Sequence, residues 1–343
     1  MRKYLLPKDG NFYKANLHCH TTFSDGKKTP LQVKELYQDL GYSVVAFTDH
    51  DILIPHDELT DDSFLALHGF EMEVNEKKPW AESPKTCHMC FIAVDKDNLT
   101  QPFWHRSKYF IGNGQQYRDM VKFDESQPDY ERVHSCEELS YVMKTARDMG
   151  FFVSYNHPCW SLEDYRDYAG YRGMNALEIL NGSCICGGYD DNNPRVYDDI
   201  LRTGNRIIAV AGDDNHNYAE LPSRKCDSGW AFTMIKAPKL EYSAITDALV
   251  KGNCYASEGP EIYELWYEDG KVHITTSEAD RINCTYGIRR SERVFAEGGV
   301  PATEATFTVP DNCVYFRITV VDKAGKRAYT NAYFVDELKG DKE

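Results

Sequence analysis

The sequence predicts an α/β domain of parallel strands joined by helices, followed by a small β-sandwich. Three observations predict it. From residue 15 to about 256, short apolar runs alternate with amphipathic segments, which is the pattern of strand–helix–strand units. Histidines and carboxylates recur at or near the ends of those apolar runs, where the loops of a parallel α/β fold converge. Beyond Ser257 the helical signals stop, and ELWYEDGKVHITTS reads as strand, DG turn, strand, with INCTYGIRR, EATFTV and YFRITVV continuing the alternation. The domains expected are therefore 1–256 and 257–343.

The first strand candidate, Ala15 to His20, carries His18 and His20 two residues apart, so both project to one face while Cys19 points away. Asp25 arrives from the loop beyond, where Gly26 permits a tight turn back toward the strand end. Thr29 and Pro30 suit the cap and first turn of a helix, Val33, Leu36, Tyr37 and Leu40 make one stripe, and Gly41 stops it. Further strands are expected at Ser43 to Thr48, Leu65 to Glu71, His88 to Val94, Phe151 to Asn156, Ala176 to Leu180 and Arg206 to Ala211. Ser135 and Glu138 form a capping box for a helix striped by Leu139, Val142, Met143 and Ala146. Asn193 and Pro194 open another, and a last one covers Tyr242 to Lys251. Residues 95–133 show no period, and an irregular insertion of that length reads as a lid or pocket wall.

The chain has 343 residues, enough for a large core, and a formal charge of −15 with a pI near 5.2. That acidity argues against a nucleic-acid polymer as partner, since phosphate backbones are gripped by clustered Lys and Arg. No apolar stretch reaches signal-peptide or membrane-span length, so a cytoplasmic protein with no membrane partner is expected. The 11 cysteines have no regular spacing and suit a reducing compartment as buried thiols. Cys87/Cys90 and Cys184/Cys186 have short enough spacings for a structural zinc site, but buried free thiols are the expectation.

The second strand ends in Asp49, His50 and Asp51, and alternation along the third puts Glu71 on the face of Leu67 and Gly69, with His68 opposite. His88 begins the fourth strand, His157 follows the fifth, and Asp213, Asp214 and His216 follow the seventh. Any one histidine reads most simply as a satisfied polar residue. The set does not, because so many ionisable groups at matching positions would bury repelling charge without compensation. His56, His105, His134 and His273 lack that context; of these, His56 and His105 are the better placed to touch substrate.

These motifs, HCHTTFSDG, FTDHD, a strand-terminal Glu, an isolated His, NHP and GDDNH, resemble in order those of the polymerase and histidinol phosphatase (PHP) superfamily of metal-dependent phosphoesterases. The likeness spans roughly residues 15 to 256. More loosely, YASEGPEI and AYTNA resemble the β-sandwich of a branch that includes carbaryl-hydrolase-like proteins. The resemblance implies a distorted (β/α)7 barrel of amidohydrolase-like type holding two or three divalent ions, Mn²⁺, Fe²⁺ or Zn²⁺. It assigns His18, His20, Glu71 and Asp214 to one metal, has Glu71 bridge to a second held by His88 and His157, and gives a third to Asp25, His50 and His216. Asp214 is preferred over Asp213 because it keeps the family's Asp-x-His spacing to His216, and His88 has the weakest register. Asp51 stands where family members have Asn, an extra acid expected either to perturb the third metal or to face solvent.

The resemblance makes Glu71, His50 and Asp214 the catalytic candidates. Three ions bring about six positive charges against three carboxylates, and the excess attracts a phosphate group even in an acidic protein. A hydroxide bridging two metals is the implied nucleophile, so no Ser or Cys nucleophile is needed. Arg195, near the start of its helix, is the candidate substrate-binding residue, against the plainer reading of a solvated helix residue. Trp104 and Tyr109 are candidates to stack on a base or sugar, or to pack a core. The expected activity is hydrolysis of small phosphoesters such as nucleotide or sugar phosphates. The alternatives are hydrolysis of a carboxyl ester, amide or carbamate by the same metals, and a non-catalytic binding protein. Arg and Lys around the metals would favour phosphate, an apolar pocket the carbon ester. Oligomeric state stays open.

Overall fold

The computed structural model describes residues 2–77 and 85–339. Its strands are β1 (Lys3–Tyr4), β2 (Asn11–Asn16), β3 (Val44–Phe47), β4 (Leu65–Asn75), β5 (Thr86–Ala93), β6 (Phe151–Asn156), β7 (Ala176–Asn181), β8 (Ile208–Gly212), β9 (Phe232–Ala237) and β10 (Cys254–Ser257). The C-terminal region adds β11 (Ile262–Glu268), β12 (Lys271–Ala279), β13 (Arg281–Tyr286), β14 (Ser291–Phe295), β15 (Ala302–Thr308), β16 (Tyr315–Val321), β17 (Arg327–Thr330) and β18 (Tyr333–Phe334). The helices are α1 (Pro30–Asp39), α2 (Gly114–Tyr117), α3 (Cys136–Asp148), α4 (Tyr165–Tyr168), α5 (Gly182–Gly187), α6 (Pro194–Arg202), α7 (Tyr242–Val250) and α8 (Val335–Lys339).

The expected elements form where local signals put them. Thr29 caps α1 in a full capping box with Gln32, and Pro30 takes its first turn. Ser135 caps α3 by accepting from Glu138 N, but the reciprocal half of the predicted box is missing because the Glu138 carboxylate accepts from the Tyr130 hydroxyl instead.

Strand direction departs from the expectation. β2, β3 and β4 are parallel, as are β6, β7 and β8, but β5 runs antiparallel to both β4 and β6. β9 likewise pairs antiparallel with β2. Apolar runs reveal burial, not direction, so the sequence could not distinguish these pairings. The mixed sheet follows the order β14-β13-β16-β17-β10-β9-β2-β3-β4-β5-β6-β7-β8, with β18 on β16.

The ladder does not close into the expected seven-stranded ring. Between its β8 end and β9, the Ala211 N–H donates to the Thr233 hydroxyl at 2.8 Å, and that hydroxyl donates to Ala211 O. Beyond the strand ends, Cys19 and Asn215 form an isolated parallel bridge. The sheet nevertheless curls around one core, since Ala15, Ala46, Leu67, Ile92, Phe152, Ala176, Val210 and Ile235 pack together with Ile245 and Leu249 of α7.

The C-terminal strands form two layers. β11, β12 and β15 make a second sheet with the N-terminal β1, while β13, β14, β16 and β17 continue the large one. Leu265, Ile274, Phe307, Ile282, Ile318 and Phe316 bury the space between them. Arg317 on β16 ties this region to α6: its Nε and Nη2 donate to the two Asp198 carboxylate oxygens at 2.9 and 2.8 Å, and the Tyr315 hydroxyl donates to the same group. Among the described residues, no helix is long and apolar enough to cross a membrane.

Candidate metal centre

The site grows out of the inner face of the curled sheet. Stepping two residues from each core side chain leads to Ala46–Thr48–His50, Leu67–Gly69–Glu71, Ile92–Cys90–His88, Ala176–Glu178 and Val210–Gly212–Asp214. Because β5 is antiparallel, the start of that strand lies at the same end as the finish of its neighbours, which brings His88 to the site. β2 ends at Asn16, four residues before the expected end, and His18 and His20 follow on extended chain held by Asp214 N donating to His18 O (2.8 Å) and His20 N to Asn215 O (3.1 Å). Gly26 serves by close approach: a Cβ there would lie 2.6 Å from His20 O. Gly212 does the same beneath His18, whose Cβ would be 2.7 Å from an added methyl. Three residues here, Asp51, His157 and Asp214, hold left-handed backbone at φ 61°, 25° and 52°, a local strain that the surrounding packing must sustain.

Four side chains converge most tightly. His18 Nε2 lies 3.2 Å from His20 Nε2, 3.1 Å from Glu71 Oε1 and 3.3 Å from Asp214 Oδ1. His20 Nε2 lies 2.9 Å from the same Asp214 oxygen and 3.3 Å from Glu71 Oε2. Ligands on a shared ion at about 2.0–2.2 Å stand roughly 3.0–3.6 Å apart, so these spacings fit one divalent cation. Neighbouring groups share members with this one: His50, Glu71 and His88 form a second, and His20, Asp25, His50 and His216 a third. His88 Nδ1 and His157 Nε2 reach Glu71 Oε1 at 3.0 and 3.3 Å, while His216 Nε2 is 3.5 Å from Asp25 Oδ2. His20 Nδ1, His50 Nδ1, His88 Nε2 and Glu71 Oε2 are buried with no hydrogen-bond partner, which suits groups whose lone pairs serve a cation.

The electrostatics agree. Burial opposes charge on His18 and His20, yet the facing carboxylates Asp214 and Glu71 outweigh it and raise both well above the usual imidazole range. His88 is pushed up to about 10 against burial by Glu71 and Glu73. In return, the histidines hold Glu71, Asp214 and Asp25 below the usual carboxylate range although burial works against it. His50 differs: burial and the charge of His20 lower it to about 3, so it is neutral.

All nine residues expected to hold metal are thus gathered at one end of the sheet. Asp213, the competitor of Asp214, points away: its carboxylate accepts from Gly229, Trp230 and Ala231 N–H and from the Tyr37 hydroxyl. Other expectations need correction. Arg195 does not line the pocket; its side chain is 80% exposed and pairs with Asp199 one turn along α6 at 2.8 Å. Asp51 neither faces solvent nor joins the cluster; it is buried in an ion pair with Arg132, and burial raises it to about 6. His56 packs between Phe23 and Phe47, and His105 pairs with Glu131, so neither lines the pocket. Trp104 packs against Phe123, and Tyr109 lies under the Arg132 guanidinium. The 95–133 insertion contributes Ile111 to the pocket wall. All 11 cysteines are free, and none joins a metal-binding group among the described residues.

Sequence reasoning missed Glu178. Its Oε1 lies 3.0 Å from His18 Nδ1, and both side chains are buried. Glu178 also sits with His18 and His157 in a group that could take an ion, but His18 already turns Nε2 toward the tighter cluster, so Glu178 acts as the carboxylate that orients the ring. The signal was available: a lone acid inside the apolar strand ALEIL. Ser161 Oγ plays the corresponding part for His157 Nδ1 at 3.2 Å. Glu73, directly opposite His88 in the β4–β5 register, places Oε2 3.4 Å from His88 Nε2.

The cluster floors a cavity of about 370 Å³ whose walls include Glu73, Ile111, Trp160, Ser183, Cys184 and Tyr189. No Lys or Arg lines it among the described residues.

No family model and no curated protein matches the chain. Three solved structures are similar in fold. A two-domain protein from Bacteroides vulgatus ATCC 8482, described as containing a predicted PHP-like metal-dependent phosphoesterase, shares 16% identity over 96% of this chain and 98% of its own, with a TM-score of 0.42. A protein from Bifidobacterium adolescentis ATCC 15703 assigned as a metal-dependent phosphoesterase is 19% identical over 64% of this chain and 91% of its own, at a TM-score of 0.36. An amidohydrolase from Chromobacterium violaceum, with sulfate and no metal, is 15% identical over 70% and 96%, at 0.37.

Proposed function

We propose that this chain is a metal-dependent hydrolase that cleaves small phosphoesters. The observation that carries the reading is the convergence of His18, His20, Glu71 and Asp214 on one point at 2.9–3.3 Å, on the floor of a small-molecule-sized cavity. His18, His20, Glu71 and Asp214 would hold one ion, Glu71, His88 and His157 a second, and Asp25, His50 and His216 a third. Divalent ions bound there supply Lewis acidity toward the scissile group and lower the pKa of water to the neutral range.

The chain's own residues do the rest. Glu71, with one oxygen toward His18, His88 and His157 and the other toward His20 and His50, is placed to join two ions. Glu178 and Ser161 fix the rings of His18 and His157, so the donors need little rearrangement. His50, lowered to about 3 by burial and the charge of His20, is neutral near pH 7. Asp25, Glu71 and Asp214 return three negative charges and Glu178 and Glu73 beside them two more, against about six from three ions, so a fully loaded site keeps a small positive excess that favours an anionic ester.

One observation favours a second reading. Without Lys or Arg on the described walls, a phosphate dianion finds no protein cation, and a carboxyl ester, amide or carbamate would fit as well. A screen of phosphomonoesters, phosphodiesters, bisphosphates and carboxyl esters with Mn²⁺-, Fe²⁺- or Zn²⁺-loaded protein separates the two. Turnover of phosphoesters is expected; turnover of carboxyl esters alone overturns the phosphoesterase reading, and a protein that binds no divalent metal overturns both.

A further inference from the structure

The pocket has two unlike sides. One is the histidine and carboxylate cluster; the other is aromatic and apolar, with Trp160 and Tyr189, 38% and 48% exposed, and Ile111 in the lining. Both rings are open to a ligand in the cavity that they line.

Both rings sit on built supports. Trp160 packs edge-on against His88 and His157, with ring centres 5.2 and 5.1 Å apart, which puts the indole directly beside the cluster. Its loop is fixed by Asp191, fully buried, whose two carboxylate oxygens accept from Cys159 N at 3.0 Å and Trp160 N at 2.8 Å. Asp191 lies two residues beyond Tyr189, and Tyr189 N donates to Cys184 O at 2.9 Å. One buried carboxylate therefore ties together the two loops that carry the rings.

We propose that Trp160 and Tyr189 clamp a planar, apolar part of the substrate, so that the site selects esters carrying one aromatic group beside the scissile bond over sugar or polyphosphate esters. This rests on the hydrolase reading above and narrows its substrate class. Aromatic faces attract a flat ring by stacking. Glu73, also in the lining, repels any anionic charge beyond that at the reacting centre, and with no Lys or Arg in the lining among the described residues, a second phosphate finds no side-chain cation there.

The test compares substrates of matched leaving-group chemistry: benzyl phosphate against ethyl phosphate, and benzyl acetate against ethyl acetate, with metal-loaded wild type, Trp160→Ala and Tyr189→Ala. Wild type should favour the benzyl ester of whichever class it cleaves by at least about tenfold in kcat/KM. Each variant should bring that ratio toward one, chiefly through KM. Tyr189→Ala matters most, since no contact of Tyr189 with a cluster histidine is present to confound it, whereas Trp160→Ala also removes support from His88 and His157. A wild-type ratio near one, or a ratio unchanged in both variants, overturns the clamp and leaves the hydrolase reading standing. No turnover of any of the four esters by loaded wild type overturns the clamp, and the hydrolase reading falls with it only if the wider screen of phosphodiesters, bisphosphates, amides and carbamates is also negative.

Discussion

Glu178 decides which nitrogen of His18 faces the cluster. With its Oε1 3.0 Å from Nδ1, the ring donates there and turns Nε2 toward Glu71 and Asp214, where the lone pair is freed for a cation once that nitrogen loses its proton. Glu178→Gln should weaken binding of Mn²⁺ or Zn²⁺ by about 10–100-fold while leaving the fold intact. Calorimetric titration of metal-free protein measures this, and an unchanged Kd would remove Glu178 from the role.

Metal binding should release protons. In the metal-free protein, facing carboxylates keep His18, His20 and His88 protonated at neutral pH, and a ligating imidazole must be neutral. Affinity should therefore rise with pH between about 6 and 8. Without metal the sign reverses. Raised histidines stabilise the fold below their unfolded value of about 6.5 and lose that contribution as pH climbs toward about 10. Glu71 and Asp214, held low, stabilise it above about 4 and lose that contribution as pH falls. Titrations in two buffers of different ionisation enthalpy count the protons, and melting curves across pH give the stability profile.

Adjacent aspartates should behave oppositely. Asp214→Asn removes a carboxylate from the cluster and should cost metal binding together with the stability its pairing with His18 and His20 contributes, whereas Asp213→Asn should keep metal binding. Asp213→Asn puts an amide where three N–H groups and a tyrosine hydroxyl donate, which should cost about 2–4 kcal/mol of stability. Urea denaturation and metal stoichiometry measured on both variants check the pair, and the reverse pattern would exchange their roles.

Arg317→Met should cost about 3–5 kcal/mol, because it leaves the buried Asp198 carboxylate without its bidentate partner. Adding Asp198→Asn should recover much of that loss. Both are read from urea midpoints, and a single variant as stable as wild type would show that the contact contributes nothing to holding β16 against α6.

What the sequence revealed depended on whether a residue's neighbours along the chain carried the signal. His18 with His20 and Glu71 were legible because two-residue alternation fixes their face whatever the partner strand, while Asp214 with His216 was legible only through the Asp-x-His spacing of the family that the chain resembles. α1 was legible to its cap. The direction of β5 was not, since TCHMCFIA is apolar throughout and buried strands look alike whichever way they run. His88 therefore seemed to stand at the wrong end of its strand. Arg195 misled for a related reason: a helix start after a strand suggests anion binding, but Asp199 one turn on satisfies the guanidinium locally. Asp51 and Arg132 are 81 residues apart, and no local pattern joins them. The large sheet runs on through β9 and β10 into β17, and β1 pairs with β11, long-range pairings that no local pattern carries.

The reversed β5 also changes what kind of mutation the site can tolerate. In a run of parallel strands each ligand comes on its own strand-to-loop junction, and an error in one junction costs one ligand. Here Glu71 and Glu73 lie across from Cys90 and His88 in a single antiparallel ladder. One residue inserted within either strand would turn that strand's inward side chains outward, removing ligand and supporting carboxylate together. Within these two strands the site therefore survives insertions or deletions only in steps of two residues.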